Sequence, residues 1–302
     1  MYQINMARDI EGLRDRASSW IRSAKFIDSA VLFGSAAGMR CSSAFPLNPF
    51  ADIDIHIVAC GTRELAETDW TQEMPHLEYC MKAWRPASGG VLKLTVVFSS
   101  GQMDLVVVPR KLMYLAKVAM TLGLHRRVGR FWTMVNEMAT CLHGGYYFIK
   151  GEQRWGNLYR TVSQFPGVRL NDHEVEDRAN AALVDVLWIL QKLEMGEVVA
   201  AQYVLHSRVV DSTLRLWREL RLREALPLPS FGLGRRLEVL VDELQYRSLC
   251  VNSLASAREL DKATREILFG MCAMVSKLVP YWTITPKMRE LLERHGPNSR
   301  QP

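Results

Sequence analysis

Asp52 and Asp54 stand two residues apart in the run Asp52-Ile-Asp-Ile-His-Ile-Val58. Side chains at i and i+2 of an extended chain project from the same face, so a strand here puts both carboxylates on one side. Two acids held side by side repel unless a cation lies between them. Magnesium prefers a few carboxylates plus water and substrate phosphates to a closed protein cage, so the pair could hold one or two such ions. An Asp-x-Asp alone also serves to cap turns or simply sits in water, and its neighbours must decide. Gly34-Ser35 closes an apolar run 17 residues before Asp52. Glycine there permits close backbone approach, and exposed amides with the Ser35 hydroxyl can hold phosphate oxygens. Asp104 is flanked by Met103 and Leu105. An unpaired carboxylate in such a place is costly, whereas beside metal ions it can take a proton from an attacking hydroxyl.

The elements that must position these residues follow from periodicity. Ile10, Leu13, Ala17, Trp20, Ile21 and Ala24 recur at helical spacing over 9–24. Ala30-Val-Leu-Phe33 is a short buried strand ending at Gly34, and 36–50, rich in Gly, Ser, Pro and Asn, is a loop. In 52–58, Ile53, Ile55 and Ile57 take one face of a strand and Asp52, Asp54 and His56 the other. His56 either neighbours the site or is a hydrogen-bonded structural histidine. A helical region is expected between Arg63 and Trp84, then a hairpin of 92–98 and 103–108 around Ser99-Ser-Gly101. Beyond Pro109 the strand signature stops. Helices are expected over 111–121, 131–142, 174–194, 198–221, 234–249, 257–278 and 286–294. The expected fold is α+β: a mixed-sheet catalytic domain over 1–110 followed by an all-helical domain over 111–302.

Composition sets the outer bounds. With 302 residues, 48% hydrophobic and 23% charged, the chain is globular, neither disordered nor fibrous. No apolar stretch reaches the ~18 residues of a membrane span, and the N-terminal residues lack the apolar core of a signal peptide, so a cytoplasmic protein is expected. Six scattered cysteines with no CxxC pair indicate neither zinc nor a disulfide framework, and reduced, mostly buried thiols are expected. Residues 1–110 carry 11 Lys and Arg against 12 Asp and Glu, and the remainder 27 against 20. A basic second half suits a polyanion, although solvated basic helices are common.

Leu32-Phe-Gly-Ser35, Phe50-Ala-Asp-Ile-Asp-Ile-His-Ile-Val58 and Asp104 on a later strand resemble the nucleotidyltransferase superfamily with the polymerase-β-like fold. Within it, the chain is similar to aminoglycoside 6-adenylyltransferases and related bacterial antibiotic nucleotidyltransferases. That likeness extends to Asp69-Trp70, Gly101-Gln-Met-Asp-Leu105, Phe131-Trp132 and Lys150-Gly151. The motif match is specific over 30–108 and looser over 111–302. Two departures bear on the acceptor: Ala36-Ala37-Gly38 follows the Gly-Ser where polar residues are expected, and Ser99-Ser100 replaces hairpin acids.

The resemblance implies transfer of a nucleoside monophosphate, AMP from ATP, to a hydroxyl with release of pyrophosphate. Asp52 and Asp54 then hold two magnesium ions, with Asp104 as third ligand and general base, and Gly34 and Ser35 meet the phosphates. Lys150 and Arg154 are candidates to complete the triphosphate clamp, and Lys93 could face the site from its strand. The helical half is expected to bind the acceptor and to form a cleft with 1–110. The acids of Asn171-Asp-His-Glu-Val-Glu-Asp177 could meet a polycationic, aminoglycoside-like acceptor, but Asn171 and Glu174 also form a capping box. Trp132, Trp155, Trp188 and Trp217 are expected in the core. The alternatives are transfer to RNA or to a second nucleotide, as in cyclic-oligonucleotide synthesis, and a non-catalytic nucleotide-binding module. Three clustered acids without a metal argue against the last.

Overall fold

The computed structural model describes residues 10–34, 37, 52–60, 63–67, 69–74, 76–87, 91–226, 228, 237–240, 249 and 256–294. The chain divides into two compact units, Met1–Val168 and Arg169–Pro302. Residue 110, where strand patterning ends in the sequence, falls at a strand–helix junction inside the first.

The first unit is built on a six-stranded mixed sheet. Its strands are β1 (Ile27–Phe33), β2 (Ile53–Ala59), β3 (Tyr79–Pro86), β4 (Leu92–Phe98), β5 (Gly101–Pro109) and β6 (Tyr146–Lys150), in the order β3-β4-β5-β2-β1-β6. Among the described strands, only β2 and β5 pair in parallel. Alternation gives the sheet two chemically different faces. Ile53, Ile55 and Ile57, with Leu94, Val96, Met103, Leu105 and Val107, join one core with Leu13, Ala17, Trp20 and Ile21 of helix α1 (Ile10–Ser23). Full burial of each such aliphatic side chain contributes about 1.5–3 kcal/mol. That fixes the register, because a slip of one residue would drive the opposite set of side chains into the core.

Two strands were not expected. The helical region anticipated over 63–84 contains only a short helix, α2 (Arg63–Glu67), and a 3₁₀ turn (Trp70–Glu73); Tyr79–Pro86 is instead the edge strand β3. Residues 79–86 have no strict alternation, and the strand forms because β4 offers a continuous ladder from Met81 to Pro86, extended to Tyr79 past an irregularity at Cys80. Beyond residue 110 the chain is not all helical, since Tyr146–Lys150 pairs with β1 and forms the other edge. Those five residues, mostly aromatic and β-branched, sit between Gly145 and Gly151, too short a run to show a period. Gly151, at φ 82°, must be glycine: a Cβ there would lie 2.6 Å from the Asp28 carbonyl oxygen. This packing of turn on strand opens helix α5 (Glu152–Ser163), also unexpected. Helices α3 (Arg110–Thr121) and α4 (Gly129–Leu142) match expectation.

The second unit is helical: α6 (Asp172–Glu194), α7 (Val198–Val204), a π-helical turn at Leu205–Val209, α8 (Val210–Arg223), and helices at Ala257–Leu278 and Pro286–Arg294. The expected 198–221 helix thus runs through a π turn. Of the helix expected over 234–249, Leu237–Leu240 is helical and most of the rest lies outside the described residues. Glu219, 2% exposed, ties the start of the unit together: it accepts from Arg169, Arg223 and the Leu170 amide. No described helix is long and apolar enough to cross a membrane.

Candidate active site

The face of the sheet opposite the apolar core carries the acids. Parallel pairing sets Asp54 directly beside Asp104, and Asp52 precedes β2 on the same face. One oxygen from each of Asp52, Asp54 and Asp104 lies within 4.8 Å of the others. Asp54 is 6% exposed and Asp104 2%, so two of the three charges are withdrawn from water. Asp104 is offset by its neighbours. Lys93 Nζ donates to its Oδ2 at 2.6 Å, and Gln102 Nε2 donates to Oδ1 at 3.3 Å. Lys93 therefore does face the site. Thr95, paired with Asp104 across the β4–β5 ladder, is 3% exposed, and its hydroxyl has no hydrogen-bond partner among the described residues.

Gly34 follows β1 at φ 75°, and a Cβ built on it would stand 3.0 Å from Asp54 Oδ2. The turn backbone thus lies directly against a candidate ligand, an approach that only glycine permits. Its carbonyl accepts from the Ala37 amide at 3.1 Å. Ser35 lies outside the described residues, as does nearly all of the expected 36–50 loop.

His56, on the same face, is hydrogen-bonded through Nδ1 to the Tyr159 hydroxyl of α5. Burial pushes the imidazole down to about 4 and the phenol upward, so both are neutral near pH 7. The histidine is a structural partner that clamps α5 over the β2–β1–β6 side of the face, where Tyr159 also packs on Phe148. Cys141 of α4 is pushed up to about 12, first by burial and then by the negative charge of Asp54. A thiol so held is inert as a nucleophile.

Two basic residues expected at the phosphates are engaged elsewhere. Lys150 Nζ donates to the carbonyls of Ala24 at 2.7 Å and Ile21 at 3.4 Å, capping the end of α1. Arg154 pairs with Asp28, which also accepts from Trp155 Nε1 at 3.2 Å. Asp28 lies at the opposite end of β1 from Gly34, about 20 Å away at a strand rise near 3.3 Å. Both fasten the fold because their neighbours in space, invisible in the sequence, satisfy them first.

Other expectations divide in the same way. Trp70 stacks on Trp20 at 4.3 Å between ring centroids and donates to the Leu65 carbonyl, so it belongs to the core side, while Asp69 is exposed and accepts from Thr71 and Gln72. Trp155 and Trp217 are buried as expected, but Trp132 is 42% exposed and Trp188 37%. Cys60 and Cys80 are exposed rather than buried. Asn171 and Glu174 form the reciprocal capping box of α6, so these residues of the acidic run serve the helix terminus. Sequence reasoning missed Thr95 and Gln102. Alternation from Lys93 and Asp104 places both on the acid-bearing face and could have found them.

No family model and no curated protein matches the sequence. Solved structures that are similar to it along most of its length include the following two. An aminoglycoside 6-adenyltransferase from Bacillus subtilis is 12% identical, with 92% of this chain and 94% of that chain covered at a TM-score of 0.40. A nucleotidyltransferase-like protein from Exiguobacterium sibiricum 255-15 is 11% identical, with 88% and 74% covered at a TM-score of 0.27. The functional reading rests on the side chains of the acid-bearing face.

Proposed function

We propose that this protein is a magnesium-dependent nucleotidyltransferase that moves a nucleoside monophosphate, AMP from ATP, onto a hydroxyl of a small acceptor and releases pyrophosphate. The observation that carries this reading is the convergence of Asp52, Asp54 and Asp104 within 4.8 Å beside the Gly34 backbone. Three carboxylates are the hard oxygen donors that magnesium takes, in a number that leaves positions for water and phosphate. Structural roles explain such a cluster poorly, since three like charges brought within 4.8 Å repel one another and withdrawing two of them from water is costly.

Asp52, Asp54 and Asp104 are the residues that would hold the metal. Bound magnesium supplies charge neutralisation for the triphosphate and for the in-line transition state. Gly34 lets the donor's phosphates approach the Asp54 carboxylate without a side chain in the way, and the family resemblance assigns Ser35 to the same phosphates. Asp104 accepts the proton of the attacking hydroxyl, which requires Lys93 to loosen its hold on that carboxylate. His56 and Tyr159 keep α5 seated and take no part in proton transfer.

The test is incubation of the protein with α-labelled NTPs, magnesium and a panel of hydroxyl acceptors, following label and pyrophosphate. Label transfer that disappears in chelator and in Asp54→Asn supports the reading. Metal-independent transfer, or transfer retained by Asp54→Asn, rejects it.

A further inference from the structure

Asp104 divides the acid-bearing face of the sheet. On its β2–β1 side lie Asp54 and Gly34, assigned above to the ions and the donor phosphates. On its other side the same face continues across β4 and β3 to the sheet edge. Register there places Thr95 beside Asp104 with Ala83 beyond it, and Lys93 beside Val106 with Arg85 beyond it. This part of the face is open: Arg85 is exposed, Met81 is 56% exposed, and Lys93, Ala83 and Val97 are partly so.

The charge on this shelf has one sign. Arg85 and Lys93 stand directly opposite one another in an antiparallel ladder, where like charges destabilise the pair. Neither β3 nor β4 contains an acid. Lys93 is drawn to Asp104, and among the described residues no carboxylate pairs with Arg85. The Thr95 hydroxyl, buried and unpartnered, adds an unused polar group beside the candidate base. Two adjacent cations and a spare hydroxyl next to the residue that must meet the acceptor suit an anion and repel a polycation.

We propose that the acceptor is a hydroxyl compound bearing a phosphate group, with the hydroxyl at Asp104 and the phosphate between Lys93 and Arg85. The proposal rests on the transfer reaction assigned above and names its second substrate class. Strand spacing near 4.8 Å and rise near 3.3 Å put the Arg85 and Asp104 Cα atoms about 12 Å apart, a span that one sugar phosphate with the two side chains closes. Lys93 moves from Asp104 to the acceptor phosphate as the acceptor binds. The freed Asp104 carboxylate takes the hydroxyl proton, the acceptor oxygen bonds to the α-phosphorus of the NTP, and the bond to the bridging oxygen breaks, pyrophosphate leaving with the electron pair. Substrate binding itself thus uncovers the base.

The test uses the full-length protein with α-labelled ATP, magnesium and four acceptors: ribose 5-phosphate, ribose, a short RNA oligonucleotide and kanamycin. Label is expected on the phosphate-bearing acceptors, at least tenfold more efficiently than on ribose, and none on kanamycin. A sugar phosphate preferred to RNA identifies a free metabolite as the source, and the reverse identifies a polynucleotide end; either supports the shelf. Arg85→Glu should raise the acceptor KM at least tenfold with the ATP KM within twofold of wild type, and Arg85→Lys should recover most of it. Labelling of kanamycin, no labelling of either phosphate-bearing acceptor, or an Arg85→Glu effect equal on ATP and acceptor overturns the proposal. Magnesium-dependent ATP binding by calorimetry, run in parallel, separates the two failures: if it persists, only the acceptor assignment falls, and if it is absent, the transfer reading falls with it.

Discussion

Replacing Gly34 by alanine tests whether the turn after β1 exists to bring backbone against the Asp54 carboxylate. Two costs can be read from the structure. The residue sits at φ 75°, and a non-glycine residue in that region costs about 1–2 kcal/mol. The new Cβ also meets Asp54 Oδ2 at 3.0 Å, so the carboxylate must turn away or the turn must shift. Gly123 and Gly196 share the backbone conformation, at φ 70° and 75°, but a Cβ on either meets nothing within 4 Å. They isolate the first cost. By thermal unfolding in chelator, Gly123→Ala and Gly196→Ala should each lose about 1–2 kcal/mol, a fall of several degrees for units of this size, and Gly34→Ala should lose more than either. Only Gly34→Ala should also weaken Mg·ATP binding, by tenfold or more in calorimetry, because only there is a candidate metal ligand displaced. If Gly34→Ala binds Mg·ATP as tightly as Gly123→Ala does, the link between this glycine and the acid site is wrong.

Asp52→Asn and Asp54→Asn should abolish metal-dependent ATP binding and turnover together, whereas Asp104→Asn should cost more in kcat than in ATP affinity; wild-type turnover in Asp104→Asn would rule out a base there. Lys93→Met leaves Asp104 buried without its cation, so it should unfold at lower temperature in chelator and gain more stability from added magnesium than wild type does, which paired melting curves measure. His56 is held near 4 against an ordinary 6.5, so the unfolded chain binds the extra proton between those values; stability complete above pH 6.5 should be lost as pH falls toward 4, on the order of 3 kcal/mol in all. His56→Gln should flatten that acid limb of the unfolding curve measured in chelator. In the second unit, Glu219→Leu strands Arg169 and the Leu170 amide, while Arg223 keeps Asp172, and should cost about 3 kcal/mol by denaturant unfolding, with magnesium-dependent ATP binding unaffected.

The acids were legible because their signal is local. A period-two alternation of isoleucine and aspartate fixes both strand and face, and Gly34 is marked by the end of an apolar run. Lys93 could be read from the same alternation. Lys150 and Arg154 could not, because what decides a basic side chain is its partner in space, here the α1 carbonyls and Asp28, more than 100 residues away in sequence. Strands β3 and β6 were hidden for a related reason. Each is an edge strand held by one neighbour, and an edge needs no strict alternation of its own. His56 looked equivocal in sequence because the residue that resolves it, Tyr159, belongs to a helix that the pattern around 152–163 did not announce.

The central claim, that the three aspartates form a divalent-cation site for a nucleoside triphosphate, is tested most directly by titrating ATP into the protein in a calorimeter with magnesium and again with chelator. The account predicts binding of one ATP per chain with magnesium and at least a hundredfold weaker binding without it, the difference vanishing in Asp54→Asn. Equal affinity in the two titrations, or a magnesium effect that survives Asp54→Asn, would contradict it.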